Sequence, residues 1–264
     1  GNLNAMPYLS QLAKSHRLKL IEDSCDTLGA KIHGRPAGSW SDAVATSFYF
    51  VHHITAAGGG GMIMFNQTDL FDQAYSIRDW GRVATGYDEN LDKRFASKLN
   101  GVPFDGKFIS QNVGYNFKGV EVQAAFGLAQ LKKLSRFNAH RQRNMSALTK
   151  FFSQYPEFFI IPELLSNSHT VFLSYPLTIK ENSPFNRMQL IRFLEEHQIQ
   201  TRPLFTGNVL RHPAYRHLPH RQIGDLKNAD FIMKHTFVLP CHHALTPNQL
   251  DYLFETYNKF LKKF

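Results

Sequence analysis

The stretch SFYFVHHIT, residues 47–55, followed by the glycine run 58–61, is the most informative part of this 264-residue chain. Its aromatic, apolar first half predicts a buried strand, and two adjacent histidines follow that strand. Imidazole has the unperturbed pKa closest to neutrality, so it is suited to proton transfer. The glycines allow the backbone to approach a ligand closely. The stretch therefore predicts a strand that delivers His52 and His53 to a site beside a close-fitting loop.

Short apolar strands alternate with helices on both sides of this stretch. We expect strands at residues 18–22, 45–50 and 62–65, and helices at residues 5–15, 69–81, 121–134 and 137–155. Such alternation predicts an α/β domain with a mostly parallel sheet. Residues 83–112 are polar and show no clear period, which indicates a long loop of the kind that is often functional.

The sequence pattern changes after the helix predicted at residues 137–155. Pro156 and Pro162 interrupt the helical pattern, residues 169–179 read as a strand, and residues 186–197 read as an amphipathic helix. Thr246 followed by Pro247 predicts the start of a last helix, since Thr caps well and Pro is favoured in the first turn. We therefore expect an α/β part over residues 1–145 and a smaller α+β part over residues 146–264.

The composition and net charge of the chain limit the classes of function that it can have. The net charge is +9 and the isoelectric point about 9.5, but the basic residues are scattered without a compact Lys/Arg run. This argues for an anionic small-molecule ligand rather than nucleic acid. Two cysteines exclude a disulfide scaffold and suit a reducing compartment. No apolar run is long enough to span a bilayer and no signal peptide is visible, so we expect a cytoplasmic protein without a membrane partner.

Acidic residues stand at the end of the first predicted strand. The stretch EDSCD, residues 22–26, follows its apolar residues directly. Ligands of α/β sheets bind at the carboxyl ends of the strands. Asp23 and Asp26 are therefore candidate ligand-binding residues, with a cap or surface role as the alternative.

Four segments, taken together, carry a family resemblance. They are LIEDSCDTLGA (20–30), SFYFVHHIT (47–55), VGYNFKGVEVQAA (113–125) and HTFVLP (235–240). In this order and spacing they resemble the DegT/DnrJ/EryC1/StrS family of sugar aminotransferases, which are vitamin-B6 enzymes. The resemblance implies an α/β, PLP-dependent transferase type I (aspartate-aminotransferase-like) fold, with part of the large cofactor-binding domain in residues 1–145 and the small α+β domain in residues 146–264. It also implies a homodimer.

The histidine at position 52 indicates a particular branch of that family. The family's aminotransferases have lysine at the matching position, where its amine bonds covalently to pyridoxal phosphate and moves protons. Imidazole forms no stable imine but still transfers a proton. The pair of histidines resembles the NDP-4-keto-6-deoxyhexose 3-dehydratases, which remove the C3 hydroxyl with pyridoxamine phosphate in dideoxysugar and lipopolysaccharide O-antigen synthesis. The resemblance makes His52 the catalytic base and a nucleotide-diphosphate sugar the substrate.

Five further residues receive roles from the same resemblance. Asp23 would face the nitrogen of the cofactor ring, and Asp26 would approach its hydroxyl. Ser47 would contact the cofactor phosphate, and Asn116 would reach that phosphate from the neighbouring subunit. Arg202 is a candidate for the substrate diphosphate, because a guanidinium binds phosphate in a bidentate manner. Caps, turns and solvent contacts are the structural alternatives for these residues.

Three departures from the family pattern leave alternatives open. Cys25 stands where one dehydratase subgroup begins its iron–sulfur ligands, but residues 81–86 hold no cysteine, so we expect no cluster. Gly58 replaces a glutamate of the family's glycine loop. Family members also have about half of the large domain before the point that matches residue 1, so the chain is expected to be amino-terminally truncated. An aminotransferase and a non-catalytic remnant of the family therefore remain alternatives to the dehydratase.

Overall fold

The computed structural model describes residues 1–82 and 90–264. The helices are α1 (Met6–Ser15), α2 (Thr68–Arg78), α3 (Leu91–Phe95), α4 (Glu121–Leu131), α5 (Leu134–Phe152), α6 (Arg187–Glu196), α7 (Lys227–His235) and α8 (Pro247–Leu261). The strands are β1 (Ile21–Asp23), β2 (Lys31–Ile32), β3 (Arg35–Pro36), β4 (Ala43–Ser47), β5 (Gly61–Phe65), β6 (Lys98–Leu99), β7 (Val102–Pro103), β8 (Phe159–Ile160), β9 (Ser168–His169), β10 (Ser174–Ile179), β11 (Arg202–Pro203) and β12 (Thr236–Pro240). None of the helices in these ranges combines the length and hydropathy that crossing a membrane requires.

The described chain divides into two compact units. The N-terminal unit consists of Ala5–Cys25 and Ala37–Lys132. The C-terminal unit consists of Gly1–Asn4, Asp26–Pro36 and Lys133–Phe264. The division into functional domains at residue 146, expected from the sequence, falls within α5 and stays a prediction.

The C-terminal unit is built on an antiparallel sheet in the order β11–β12–β10–β8. Every second residue of β10 is buried, so Tyr175, Leu177 and Ile179 are at most 1% exposed. Residues of α5, α6 and α8 join them in one core, among them Leu148, Phe152, Leu190, Leu194, Leu253 and Tyr257. Burying one such side chain stabilises the fold by about 1.5–3 kcal/mol, so this core dominates the unit's stability.

The last helix begins as its sequence predicts. The Thr246 hydroxyl accepts a hydrogen bond from the Gln249 amide (3.3 Å), and the Gln249 side chain accepts one from the Thr246 amide (2.9 Å). Pro247 opens α8, where its missing N–H leaves no helix bond unmade. This reciprocal capping satisfies two amides that a helix start otherwise exposes, and it confirms the predicted start.

The sheet of the N-terminal unit has the order β1–β4–β5. β1 runs parallel to β4, with Asp23 opposite Ala45, whereas β5 runs antiparallel to β4. The expectation of a mostly parallel sheet is therefore wrong for the β4–β5 pair, which is one of the two strand pairs in this sheet. The cause is local: the residues between β4 and β5 form a folded loop without a crossover helix, closed by the Phe48–Gly60 and Phe48–Ala56 backbone bonds, so the chain returns beside β4 in the opposite direction.

The described part of the expected loop at residues 83–112 contains regular structure, and residues 83–89 lie outside the described ranges. Residues 90–112 hold α3, the β6–β7 hairpin and a short 3₁₀ turn at Gly106–Phe108. Asn100 (φ 49°) and Gly101 (φ 82°) form the hairpin turn. Asn-Gly favours such turns because both residues tolerate positive φ, so the sequence did carry a hairpin signal. The expectation of a loop was wrong here because these elements are too short to show a period.

Two tyrosines in the C-terminal unit provide a matched test of core energetics. Tyr257 is fully buried, and no group among the described residues lies within hydrogen-bond distance of its hydroxyl. The Tyr155 hydroxyl donates to Asn258 Oδ1 at 2.6 Å. Tyr257→Phe removes a desolvated polar group and is expected to raise the free energy of unfolding by about 1 kcal/mol, whereas Tyr155→Phe is expected to lower it by about 1 kcal/mol. Urea unfolding of both variants tests this, and equal losses would contradict it.

Candidate active site

The ends of the parallel pair β1 and β4 bring a carboxylate and a hydroxyl to one edge of the sheet. Asp23 ends β1 and is exposed, and its Oδ1 accepts a hydrogen bond from the Cys25 amide (3.1 Å). Ser47 ends β4, two residues beyond the register partner of Asp23. Its Oγ accepts from the Tyr49 amide (3.1 Å), which leaves the hydroxyl hydrogen available to donate. The predicted strand at 45–50 ends early because this bond turns the backbone after Ser47.

Glu22 does not share the face of Asp23. Strand alternation buries Glu22 (9% exposed), where its Oε2 accepts from the Gly38 amide (2.9 Å) and lies 3.5 Å from Ser41 Oγ. Burial raises the pKa of this carboxyl, and the two hydrogen bonds oppose the rise. Of the two adjacent acids, only Asp23 therefore faces outward at the end of β1.

The loop between β4 and β5 carries His52 and is closed by backbone hydrogen bonds at Phe48. The Phe48 amide donates to the Gly60 carbonyl (2.9 Å), and the Phe48 carbonyl accepts from the Ala56 amide (3.0 Å). His52 lies in the turn at the start of this loop, where its amide donates to the Tyr49 carbonyl (3.0 Å). The His52 ring is half-buried, 6.4 Å from the Tyr49 ring centre. His52 is thus held close to the end of β4, but in a turn rather than in the strand.

The glycine run shapes the second half of the same loop. Gly58 (φ 99°) and Gly60 (φ 115°) have backbone conformations that other residues rarely adopt. At Gly61 a Cβ would lie 2.9 Å from the Thr46 carbonyl oxygen, too close for any side chain. Gly127 of α4 lies against this loop, since a Cβ there would be 3.7 Å from Ala56 Cβ. The run thus serves close backbone packing around His52.

His53 is separated from His52 by burial. It is 1% exposed, whereas His52 is half-buried. His53 therefore lies in the interior of the N-terminal unit. Of the two imidazoles, His52 is therefore the one with access to a ligand.

Asn116 lies on a segment that is held to the end of α2 by backbone contacts. The Trp80 amide donates to the Tyr115 carbonyl (2.9 Å), and the Phe117 amide donates to the Arg78 carbonyl (3.0 Å). These bonds pair Asn116 with Asp79 as in an antiparallel bridge and leave the Asn116 side chain exposed. The structure therefore presents Asn116 outward from the N-terminal unit.

Asp79 is a polar residue of this region that the sequence analysis did not single out. It is 3% exposed, with Lys118 Nζ 3.3 Å from its Oδ2 and Arg82 Nη1 4.0 Å from its Oδ1. A buried carboxylate needs such partners to be stable. Its position directly after α2 and before Trp80-Gly81 is the only sequence signal for this role.

Asp26 and Arg202 belong to the C-terminal unit. Asp26 is half-buried, and its backbone carbonyl accepts from the amino group of Gly1. Arg202 begins β11 opposite Val238 and is exposed. Their predicted roles toward the cofactor ring and the substrate diphosphate stay predictions.

The two cysteines differ in burial, and neither belongs to a possible metal site among the described residues. Cys25 is half-buried, and Cys241 is fully buried, where desolvation raises its pKa to about 12. Within the described ranges no three His, Cys, Asp or Glu side chains are grouped in a way that could hold a metal ion. The expected absence of an iron–sulfur cluster rests on the cysteine count of this chain and stays a prediction.

The contact between Gly81 and Gly114 tests how the Asn116 segment is held. A Cβ on Gly114 would lie 2.0 Å from the Gly81 nitrogen, whereas a Cβ on Gly119 would lie 3.9 Å from its nearest neighbour. Gly114→Ala is expected to lower the free energy of unfolding by about 1–3 kcal/mol through overpacking. It should also speed tryptic cleavage at Lys118. Gly119→Ala is the matched control, and equal behaviour of the two variants in both assays would contradict the assignment.

The buried carboxyl of Glu22 predicts a pH dependence of stability. Its pKa is raised in the folded protein, so ionisation favours the unfolded chain. Stability contributed by the protonated form is present below the unfolded pKa and is lost as the pH rises through the folded pKa. Glu22→Gln should reduce this loss in urea unfolding at pH 4 and pH 7. The exposed Glu121→Gln is the control, and an unchanged pH dependence in Glu22→Gln would refute the prediction.

Comparison with known proteins identifies relatives of this chain. It is 37% identical over 265 residues to the lipopolysaccharide biosynthesis protein RfbH of Salmonella typhimurium, covering 98% of this chain and 60% of that protein. It is 36% identical over 268 residues to the dTDP-4-dehydro-2,6-dideoxy-D-glucose 3-dehydratase of Saccharopolyspora spinosa, covering 100% of this chain and 58% of that protein. The chain thus spans about three fifths of the length of these relatives.

Solved structures confirm the predicted α/β, aminotransferase-type fold. The E. coli GDP-4-keto-6-deoxy-D-mannose-3-dehydratase with bound hydrated PLP is 26% identical, with a TM-score of 0.83 over 97% of this chain and 64% of that one. An aminotransferase from Psychrobacter cryohalolentis, 21% identical over 98% of this chain and 65% of that one, shares the fold with a TM-score of 0.86. A family match extends over residues 1–258. The chain therefore belongs to the DegT/DnrJ/EryC1/StrS aminotransferase family.

Proposed function

We propose that the protein is a 3-dehydratase that uses pyridoxal or pyridoxamine phosphate to remove the C3 hydroxyl of a nucleotide-linked 4-keto-6-deoxyhexose. The observation that carries this proposal is His52, a half-buried imidazole held beside the end of β4 where the family's aminotransferases have lysine. Relatives named as 3-dehydratases support it, including the GDP-4-keto-6-deoxy-D-mannose 3-dehydratase of Yersinia pseudotuberculosis at 29% identity. The name of the RfbH relative supports a place in lipopolysaccharide synthesis.

The side chains at the strand ends fit the chemistry of the cofactor. Asp23 offers an exposed carboxylate that would keep the ring nitrogen protonated, and Ser47 offers a hydroxyl hydrogen that would donate to the phosphate. Asp26 is proposed for the ring hydroxyl, and Asn116 for the phosphate across a homodimer. When bound, the cofactor would supply an electron sink next to the reacting carbon. The glycine run lets the backbone of the loop pack closely beside this group.

His52 would take a proton from the cofactor's C4′ carbon and later return a proton to the leaving oxygen. An imidazole nitrogen can accept a proton and then donate it, which both steps require. It lacks the amine with which lysine bonds covalently to the cofactor, so it does not support the same route to amino transfer. Arg202 would hold the diphosphate of the sugar nucleotide. A cytoplasmic location would bring the protein together with such substrates.

An aminotransferase is the second candidate function. The GDP-perosamine synthase of Caulobacter vibrioides is 29% identical over 95% of this chain, so amino transfer occurs by name among the relatives. The difference between the two candidates rests on position 52, where this chain has His. A non-catalytic remnant is the third candidate, because Gly58 stands where the family's glycine loop has a glutamate next to the proposed base.

The reaction can be tested with purified protein, pyridoxamine phosphate and GDP-4-keto-6-deoxy-D-mannose, with mass spectrometry of the sugar product. The expected product has one oxygen fewer than the substrate. His52→Asn is expected to lower its rate of formation by about 10²–10⁴-fold, because the proton transfer loses its base. His16→Asn, at an exposed position of the same unit, should stay within twofold of wild type.

Other outcomes identify the rival functions. Transfer of an amino group to the sugar by the wild-type protein in the presence of glutamate would establish the aminotransferase. Wild-type protein that is folded by circular dichroism but binds no pyridoxamine phosphate in calorimetry would establish the remnant. Full dehydratase activity in His52→Asn would exclude His52 as the base.

A further inference from the structure

A carboxylate on α7 fixes the turn that follows Arg202. Asp230 lies in the first turn of α7, and its Oδ1 accepts from Asn208 Nδ2 (2.7 Å) and from Arg211 Nε (2.9 Å). Its Oδ2 accepts from Arg211 Nη2 (2.5 Å). Charge-assisted, bidentate bonds of this kind are strong and directional. The Asp230 side chain thus binds two residues of the segment 204–211. We name this segment the β11 turn.

Hydrogen bonds of Asn208 connect the Asp230 carboxylate to the backbone of the β11 turn. It is 3% exposed, and its Oδ1 accepts from the Leu210 amide (3.1 Å) while its Nδ2 donates to Asp230. The Arg211 amide in turn donates to the Asn208 carbonyl (3.0 Å). A buried amide that loses its acceptor leaves a polar group unsatisfied, so the turn depends on Asp230.

The β11 turn is held in a conformation that is unfavourable by itself. Phe205 has φ 47°, which a residue with a bulky side chain rarely adopts, and its ring is 76% exposed. Gly207 has φ 64°, and a Cβ there would lie 2.5 Å from Met233 Cβ. Backbone strain of this kind persists only where surrounding contacts enforce it, and it is often found at ligand sites. Here the contacts come from α7, through Asp230 and Met233.

The β11 turn begins two residues after Arg202. Backbone pairing to β12 holds Arg202 opposite Val238, and the strand ends one residue later at Pro203. The course of the chain beyond Pro203 is therefore determined by the β11 turn. An exposed phenyl ring three residues after an exposed guanidinium offers a stacking surface and a phosphate donor in one short segment.

We propose that Asp230 is a positioning residue for the nucleotide-diphosphate end of the substrate, which it serves by holding the β11 turn, with Phe205, in a fixed arrangement beside Arg202. This rests on the proposed function, in which Arg202 contacts the diphosphate. Because the β11 turn is already ordered before the ligand binds, the free energy of binding does not include the entropic cost of ordering it. The Arg211 guanidinium and the Asn208 amide hold the pKa of Asp230 at about 2, so the carboxylate stays charged throughout the neutral range.

Calorimetric binding of GDP and dTDP to the full protein tests the proposal. Asp230→Asn replaces one accepting oxygen with an amide nitrogen and is expected to weaken binding about tenfold. Asp225→Asn is the matched control, since Asp225 also pairs with a cation, Lys227 Nζ at 2.6 Å, and should bind within twofold of wild type. Arg202→Gln should weaken binding strongly. Phe205→Ala should weaken binding about as much as Asp230→Asn, and Asp230→Asn added to Phe205→Ala should have little further effect, because Asp230 acts through the turn that carries Phe205.

The possible outcomes separate the inference from the proposed function. If Arg202→Gln weakens binding and Asp230→Asn does not, the positioning role is refuted and the diphosphate role of Arg202 stands. If Arg202→Gln binds as wild type, the diphosphate role fails and the positioning role fails with it. If Asp230→Asn weakens binding equally in wild type and in Phe205→Ala, its effect is only structural and the positioning role is refuted. Faster tryptic cleavage at Arg211 in Asp230→Asn than in Asp225→Asn would support the hold on the turn.

Discussion

The backbone bonds at Phe48 are the constraint on which the candidate site depends. Its amide and carbonyl close the loop between β4 and β5 from both sides, through Gly60 and Ala56. The bond to Gly60 lies next to the antiparallel β4–β5 pair, and the bond to Ala56 closes the part of the loop that contains the His52 turn. Because they are backbone bonds, they place His52 whatever its own side chain does.

The large apolar core and the candidate residues Asp23, Ser47 and His52 belong to different units of the chain. The C-terminal unit buries a continuous apolar core between its antiparallel sheet and three helices. The sheet of the N-terminal unit is less covered in this chain, and Met62, Ile63 and Met64 of β5 are between 41% and 52% exposed. The candidate residues Asp23 and Ser47 end two strands of this second sheet, and the candidate His52 lies in the loop between β4 and β5. The site therefore depends on hydrogen bonds and glycine contacts more than on a large core.

Acidic residues repeatedly hold irregular segments in place. Glu22 binds the Gly38 amide, Asp79 binds Lys118 beside the Asn116 segment, and Asp230 binds Asn208 and Arg211. In each case a carboxylate accepts from donors that loops would otherwise leave unsatisfied. Such residues are difficult to recognise from one sequence, because their partners are distant and their side chains look like ordinary surface charges.

The sequence by itself determined the fold class, most helices and the start of α8. These features depend on local patterns: apolar periodicity, capping residues and glycine. Only the tertiary structure decided that β5 is antiparallel, that β4 ends before the histidines, that Glu22 is buried while Asp23 is exposed, and that Asp230 holds the β11 turn. Each of these depends on contacts between residues distant in sequence, and strand direction and side-chain partners follow from packing that no local pattern encodes.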